Sequence, residues 1–237
     1  MEYTKPKYKR VLLKLSGEAL AAEDGILNFD FIASIAEVLK KCREAGVEIG
    51  IIVGAGNIWR GRQGGEMNRV RADSMGMLAT TINALALQDS FLAAGLPAKV
   101  MTAVEMRTFA DPYVTRDAVK ALEEGCVVIF GCGLGSPYFS TDTAAVLRAA
   151  EIGADVVLMA KNIDGIYSAD PKKDPTAVRY DELTYEEILA KQLRALDLSA
   201  TTFCMENDIR AYAFELKDPM NIYRVIMGER IGTEIHR

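Results

Sequence analysis

Three short segments carry residue types suited to chemistry on phosphates. Residues 54–60 (GAGNIWR) place small residues directly after an apolar, β-branched run, Ile49, Ile51, Ile52 and Val53, and end on Arg60. A strand that ends in small residues lets backbone N–H groups approach an anion closely, and a guanidinium can fork onto phosphate oxygens. In the second segment, VLLKLSG, Lys14 is a lone charge inside an apolar run, and Ser16 and Gly17 follow it. The third follows the apolar run CVVIF, where Gly131, Gly133 and Gly135 alternate before hydroxyls and the carboxylate of Asp142. Phosphoryl transfer fits these types. It needs cations against spreading charge, donors that hold phosphates in line, and usually Mg²⁺, with little covalent help from the protein.

Each charged residue also has an ordinary structural reading. Lys14 suits a solvent-facing position on a strand as well as the carboxyl end of a buried strand, where it meets phosphate oxygens as a point charge. Asp73 stands near Arg69 and Arg71, so a helix-surface ion pair competes with a carboxylate that accepts hydrogen bonds from a sugar. Asp142 opens a helical pattern, where an acidic residue serves the helix dipole without further function.

The elements that must position these groups alternate along the chain. Residues 10–15 read as a first strand. A helix follows, capped by Asn28 or Asp30 and stopped at Gly46, with Phe31, Ile32, Ile35, Ala36 and Leu39 at helical spacing. The strand ending at Val53 comes next, and a right-handed crossover makes these two strands parallel. A glycine-rich loop is expected over 61–68 and a long helix over 69–94, closed by Gly95 and Pro97. Further strands are expected at 98–101, 126–130 and 154–160, with helices at 116–124 and from about 141 to 151, the latter capped by Ser140 or Thr141. Residues 161–171 read as a loop. Short helices are expected over 185–191 and 200–207, with closing strands over 210–214 and 224–227. With no repeat or linker visible, the expectation is one α/β domain over 1–237, a three-layer α/β/α sandwich around a mainly parallel sheet.

Bulk properties exclude several classes. A net charge of −5 argues against a general nucleic-acid binder, although a small anionic substrate needs only a local positive pocket. The one histidine, His236, lies beside the C-terminus, which disfavours Ser-His-Asp catalysis and histidine-rich metal sites. The four cysteines sit singly and read as reduced thiols of a cytosolic protein. No signal peptide or membrane span is visible. There is no GxxxxGK[ST], HRD or DFG, and Trp59 stands where a dinucleotide fingerprint needs its third glycine.

Taken together, KLSGEAL, VGAGNIWRG, MNRVRADSMGMLATTINALAL, GSPYFSTDTAA, IDGIYSADPKKDP and MGERIGT resemble the bacterial UMP kinases of the amino acid kinase superfamily, over nearly the whole chain. The resemblance implies transfer of the γ-phosphoryl group of ATP to UMP, with Mg²⁺, in pyrimidine nucleotide synthesis. It implies that ATP is held by Lys14, Leu15, Ser16, Gly17, Gly56 and Arg60, and on the adenine side by Asn162, Tyr167 and Asp170. UMP falls to Ala55, to Asp73 at the ribose, and to Leu134, Gly135, Ser136, Pro137, Tyr138, Phe139, Ser140 and Thr141. Lys14, Arg60 and Asp142 are the implied catalytic residues, and the metal is bound mainly through ATP phosphates rather than by a protein cage. The segment up to about 160 then serves mainly UMP, and 161–237 mainly ATP. The family pattern further implies a cytoplasmic homohexamer inhibited by UTP and, in many relatives, activated by GTP, with no nucleic-acid or membrane partner. Ala55, Leu134 and Ser140 depart from the commoner pattern. A superfamily member that phosphorylates a carboxylate or carbamate, and a nucleotide sensor without chemistry, are the alternatives.

Overall fold

The computed structural model describes residues 5–60, 64–193 and 195–237. Among them a central sheet of nine strands runs in the order β4-β3-β5-β2-β1-β6-β10-β11-β9. The strands are β1 (Arg10–Leu15), β2 (Glu48–Val53), β3 (Ala98–Thr102), β4 (Asp111–Pro112), β5 (Val127–Gly131), β6 (Val156–Lys161), β9 (Glu182–Thr184), β10 (Ala211–Glu215) and β11 (Thr233–His236). All pairings are parallel except that of β10 with β11. A separate two-stranded hairpin joins β7 (Ile166–Tyr167) to β8 (Arg179–Tyr180), inside and beyond the stretch expected to be loop.

β1 lies at the centre, paired with β2 on one side and β6 on the other. Side chains alternate between faces of a strand. Val11, Leu13 and Leu15 therefore enter one core, with α1 (Phe29–Glu44), α2 (Arg69–Ala93) and α7 (Met220–Ile226) over them. Leu12 enters the other, covered by α3 (Thr115–Glu123), α4 (Thr141–Ile152), α5 (Tyr185–Ala190) and α6 (Leu198–Glu206). This is the three-layer sandwich. The strands buried on both faces are the near-continuous apolar runs of the sequence.

Local signals set the helix ends as expected. Asn28 accepts from the Phe31 backbone N–H at 2.9 Å, Ser140 caps α4, and Thr184 and Glu187 form a reciprocal capping box on α5. One assignment is corrected: residues 224–227 belong to helix α7, not to a closing strand, and β11 takes that role. Ile222, Val225 and Ile226 sit at helical spacing and are buried facing α1, and Asp218 accepts from Met220 N at 3.0 Å at the helix start. An apolar run of three residues does not by itself choose between the two periods.

Candidate active site

The loops that follow β1, β2, β5 and β6 all leave the carboxyl edge of the sheet, where open α/β sheets form their crevices. The first two loops meet through backbone. Gly54 N donates to Leu15 O at 2.9 Å. A Cβ at Gly17 would lie 2.6 Å from Gly54 O, Gly56 N and Asn57 Oδ1. Gly17 is therefore required for close approach. Gly17→Ala is expected to push the loops apart, lower Tm and raise KM for both nucleotides; unchanged KM values in steady-state kinetics would show that the contact is slack. Ala55 has no positive φ, so its methyl group is accommodated.

α2 braces this turn from behind. The buried Asn83 donates to Gly54 O at 2.7 Å and to Asn57 Oδ1 at 2.8 Å, while Asn57 Nδ2 returns a bond to Asn83 Oδ1 at 2.9 Å. Buried amides satisfied this way fix a single geometry. Arg60, at the end of the turn, pairs with Glu18, and both side chains are about half exposed. An exposed pair of this kind contributes little stability, so the guanidinium is free to exchange partners.

Lys14 is not on a solvent edge. Its strand is central, its side chain is 21% exposed, and its Nζ lies 3.1 Å from Asp142 Oδ1. The side-chain cap of α4 is Ser140, which accepts from the Asp142 and Thr143 N–H groups, and this leaves the Asp142 carboxylate for Lys14. Lys161, the last residue of β6, donates to Ala195 O at 2.5 Å. Burial pushes its pKa down, and the Asp142 carboxylate pulls against that shift more strongly than the Lys14 charge adds to it.

A cavity of about 300 Å³ opens beside this group. It is lined by Ala55, Gly56, Arg60, Asp73, Leu134, Ser136, Phe139, Ser140 and Thr141 among the expected residues, and by Trp59, Met77 and Thr80 from α2 and the loop before it. Gly135, Pro137 and Tyr138 belong to the same loop without lining the cavity. Cys132 and Tyr138 hold positive φ, 63° and 72°, as do Gly133 and Gly135. Strain of this kind in non-glycine residues costs about 1–3 kcal/mol and collects at ligand sites. The loop is tied down across the cavity: Tyr138 N donates to Asp73 Oδ2 at 2.8 Å, and Asp73 also accepts from Arg69 Nε at 2.8 Å. The helix-surface ion pair is real, but one carboxylate serves both the helix and the loop.

A second cavity, of about 530 Å³, is lined by Lys161, Tyr167, Asp170, Lys173 and Lys191, among others. Asn162 lines a separate hollow with Glu215 and Lys217. Leu15, Ser16 and Gly17 follow Lys14 at the end of β1 and meet the 54–60 turn, but they line neither cavity, and nor do Lys14 and Asp142.

Three positioning groups had no signal that singled them out in the sequence. Asn83 and Lys161 look like ordinary polar residues of a helix and a loop. Asp197 caps α6 through Ala200 N at 2.8 Å, accepts from Ser140 Oγ, and accepts from Thr143 Oγ1 at 3.2 Å. It thereby joins the start of α6 to the start of α4. A Ser/Asp pairing across such a separation in the chain leaves no local pattern.

The sequence profile of the amino acid kinase family matches residues 9–214. Among solved structures, a UMP kinase from Bacillus anthracis superposes with a TM-score of 0.93 at 36% identity, covering 97% of this chain and 96% of that one. A UMP kinase from Ureaplasma parvum gives a TM-score of 0.93 at 35% identity, over 98% and 100%. A uridylate kinase from Archaeoglobus fulgidus gives 0.71 at 27% identity, over 95% and 99%.

Proposed function

This chain belongs to the amino acid kinase family, and from that premise we propose that it is a UMP kinase, a nucleoside monophosphate kinase that transfers the γ-phosphoryl group of ATP to UMP and yields ADP and UDP. One observation carries the reading: the Lys14–Asp142 pair lies at the carboxyl edge of the sheet, where Ser140 and Thr141, next to Asp142 in the chain, line one cavity and Lys161 of the same sheet lines another. UMP occupies the cavity lined by Asp73 and the 134–141 loop. ATP occupies the one lined by Tyr167 and Asp170, and its phosphates lie over Lys14, Leu15, Ser16, Gly17 and Gly56. The 1–237 chain acts as one domain, mainly acceptor before about 160 and mainly donor after it.

The nucleophile is a phosphate oxygen of UMP, largely anionic at neutral pH, since such a group has a second pKa near 6. No general base is required, and the chain's work is positioning and charge neutralisation. Lys14 meets the phosphate in transfer as a point charge. Asp142 fixes the direction of Lys14, and Arg60 leaves Glu18 for phosphate oxygens. Mg²⁺ accompanies ATP. Among the described residues no group of three or more His, Cys, Asp and Glu side chains gathers to hold it alone, and Asp142 is the carboxylate beside the reacting centre. That donor set fits an ion bound through phosphate oxygens and water with few protein carboxylates. When bound, the ion neutralises charge on the β- and γ-oxygens.

The enzyme acts in the cytoplasm in pyrimidine nucleotide synthesis. It assembles as a homohexamer inhibited by UTP, with GTP as the candidate activator. Val70, Met75, Leu78, Ile82 and Leu92 of α2 are exposed apolar side chains that support a subunit contact. No helix among the described residues is long and apolar enough to cross a membrane. ADP release measured with UMP, CMP, acetylglutamate and carbamate as acceptors tests the activity. Turnover with UMP well above the others is expected, and none with UMP would overturn it. The same assay with added UTP and GTP reads the regulation. Asp73→Asn is expected to raise KM for UMP several-fold and leave KM for ATP unchanged; an effect confined to ATP would reverse the two cavities.

A further inference from the structure

We propose that Lys161 is a second phosphate-binding cation of this site, which donates to the terminal phosphates of the donor nucleotide from the sheet face that also carries the Lys14–Asp142 pair. The inference deepens the phosphoryl-transfer reading above and rests on it.

The strand register puts the two lysines together. Lys14 of β1 lies opposite Met159 of β6, and residues directly opposite in a parallel pair project from the same face. Lys161 is two residues beyond Met159 and so returns to that face. This is the face covered by α4, because Leu12, Val157 and Met159 pack with Ala144, Ala145 and Ala149. The first turn of α4 carries Asp142, which faces Lys14 at 3.1 Å. Both lysines thus leave the carboxyl edge of the sheet beneath one helix N-terminus, itself a favourable end for anions.

Lys161 is also under-partnered for a partly buried charge. An ammonium has three donors, and the bond recorded is to a neutral carbonyl, Ala195 O, at 2.5 Å. Among the described residues no carboxylate lies within 4.0 Å of it. Its neighbour across the strand pair, Glu215, makes no ion pair with it, and Asp142 is already engaged by Lys14. Desolvation pushes its pKa down, and Asp142 holds the charged form against that shift. Burying a cation without a full partner is costly unless an anion arrives. Lys161 lines the donor cavity with Tyr167 and Asp170, so the anion that reaches it is the donor's phosphate chain. In the transfer, the bond from Pγ to the β,γ-bridging oxygen breaks, and the bond from Pγ to the acceptor oxygen forms. The electron pair goes to the ADP oxygen, and Lys161 keeps its proton throughout.

Three variants of the full-length enzyme test this. Lys161→Met removes donor and charge, Lys161→Gln keeps an N–H for Ala195 O without charge, and Lys161→Arg keeps the charge. Lys161→Met and Lys161→Gln are expected to lower kcat/KM for ATP about 100-fold, the size typical for loss of one electrostatic contact to the reacting group. UMP affinity by calorimetry should stay within about twofold of the parent, and Lys161→Arg should recover about tenfold of the loss. Lys161→Gln with parental kcat/KM for ATP would make the lysine a structural tie to Ala195 and overturn the proposal. Failure of both neutral variants to fold while Lys161→Arg folds would likewise assign the charge to stability and overturn it. ATP affinity of parent and variants, measured by calorimetry without acceptor, separates this inference from the choice of UMP. A parent that binds ATP through Lys161 yet does not phosphorylate UMP refutes the acceptor assignment alone.

Discussion

Arg60→Ala is expected to lower kcat/KM by about 10²–10³-fold, with the fall shared between kcat and KM for the nucleotides. A charge-assisted contact to phosphate is worth about 1.5–3 kcal/mol in the ground state. More is gained as charge spreads over the transferring group, which is where one well-placed donor accounts for about 10²–10³ in rate. The residue is well placed to supply this. Its backbone ends the turn that Asn83 braces, it lines the acceptor cavity, and its present partner, Glu18, is an exposed carboxylate held by little net energy. Since removing an exposed pair costs little stability, Tm should stay close to the parent. Steady-state kinetics with both substrates varied, next to a thermal melt, checks this. Near-normal turnover would place the phosphate elsewhere.

Lys14→Met is expected to be more severe, with kcat reduced by about 10³-fold or more, on the scale of a cation that stabilises phosphoryl-transfer charge directly. Methionine keeps the length and the apolar stem, so the loss reports charge. The substitution also leaves the Asp142 carboxylate without its partner, at the start of α4 where the helix dipole offers only partial compensation. Asp142→Asn should cost less than Lys14→Met, because it loosens the lysine without removing it. The double variant should be no worse than Lys14→Met. Residues that act as one unit are strongly non-additive. Additive losses in a double-mutant cycle would separate the two side chains into independent roles.

Much of the layout was legible in the sequence because it is local. Asn28, Ser140 and Thr184 cap the helices that their types and the apolar spacing behind them imply. The apolar runs at 10–15, 49–53 and 127–130 are buried on both faces, which is why they read as central parallel strands. The alternation of strand and helix then leaves few topologies. Where spacing was too short to decide, reading failed: Val225 and Ile226 belong to a helix because α1 offers them an apolar surface, and that surface is visible only once the chain is folded. The 161–171 stretch likewise contains β7, whose partner β8 comes from beyond it.

The functional residues divide along the same line. Sequence alone determined that small residues follow buried strands, that a lysine, an arginine and an aspartate stand near those strand ends, and that histidine chemistry is improbable. Strand ends and helix starts depend on residue type and spacing within a few positions, so those features survive without a structure. Only the tertiary fold decided that Lys14 lies inside the sheet rather than at its edge, that it faces Asp142, that Asp73 reaches the 134–141 loop, and that Lys161 shares a face with Lys14. Each of these is a contact between segments far apart in the chain. Register and helix placement set them, and both come from burying the two cores against the sheet, with no trace in the spacing around the residues concerned.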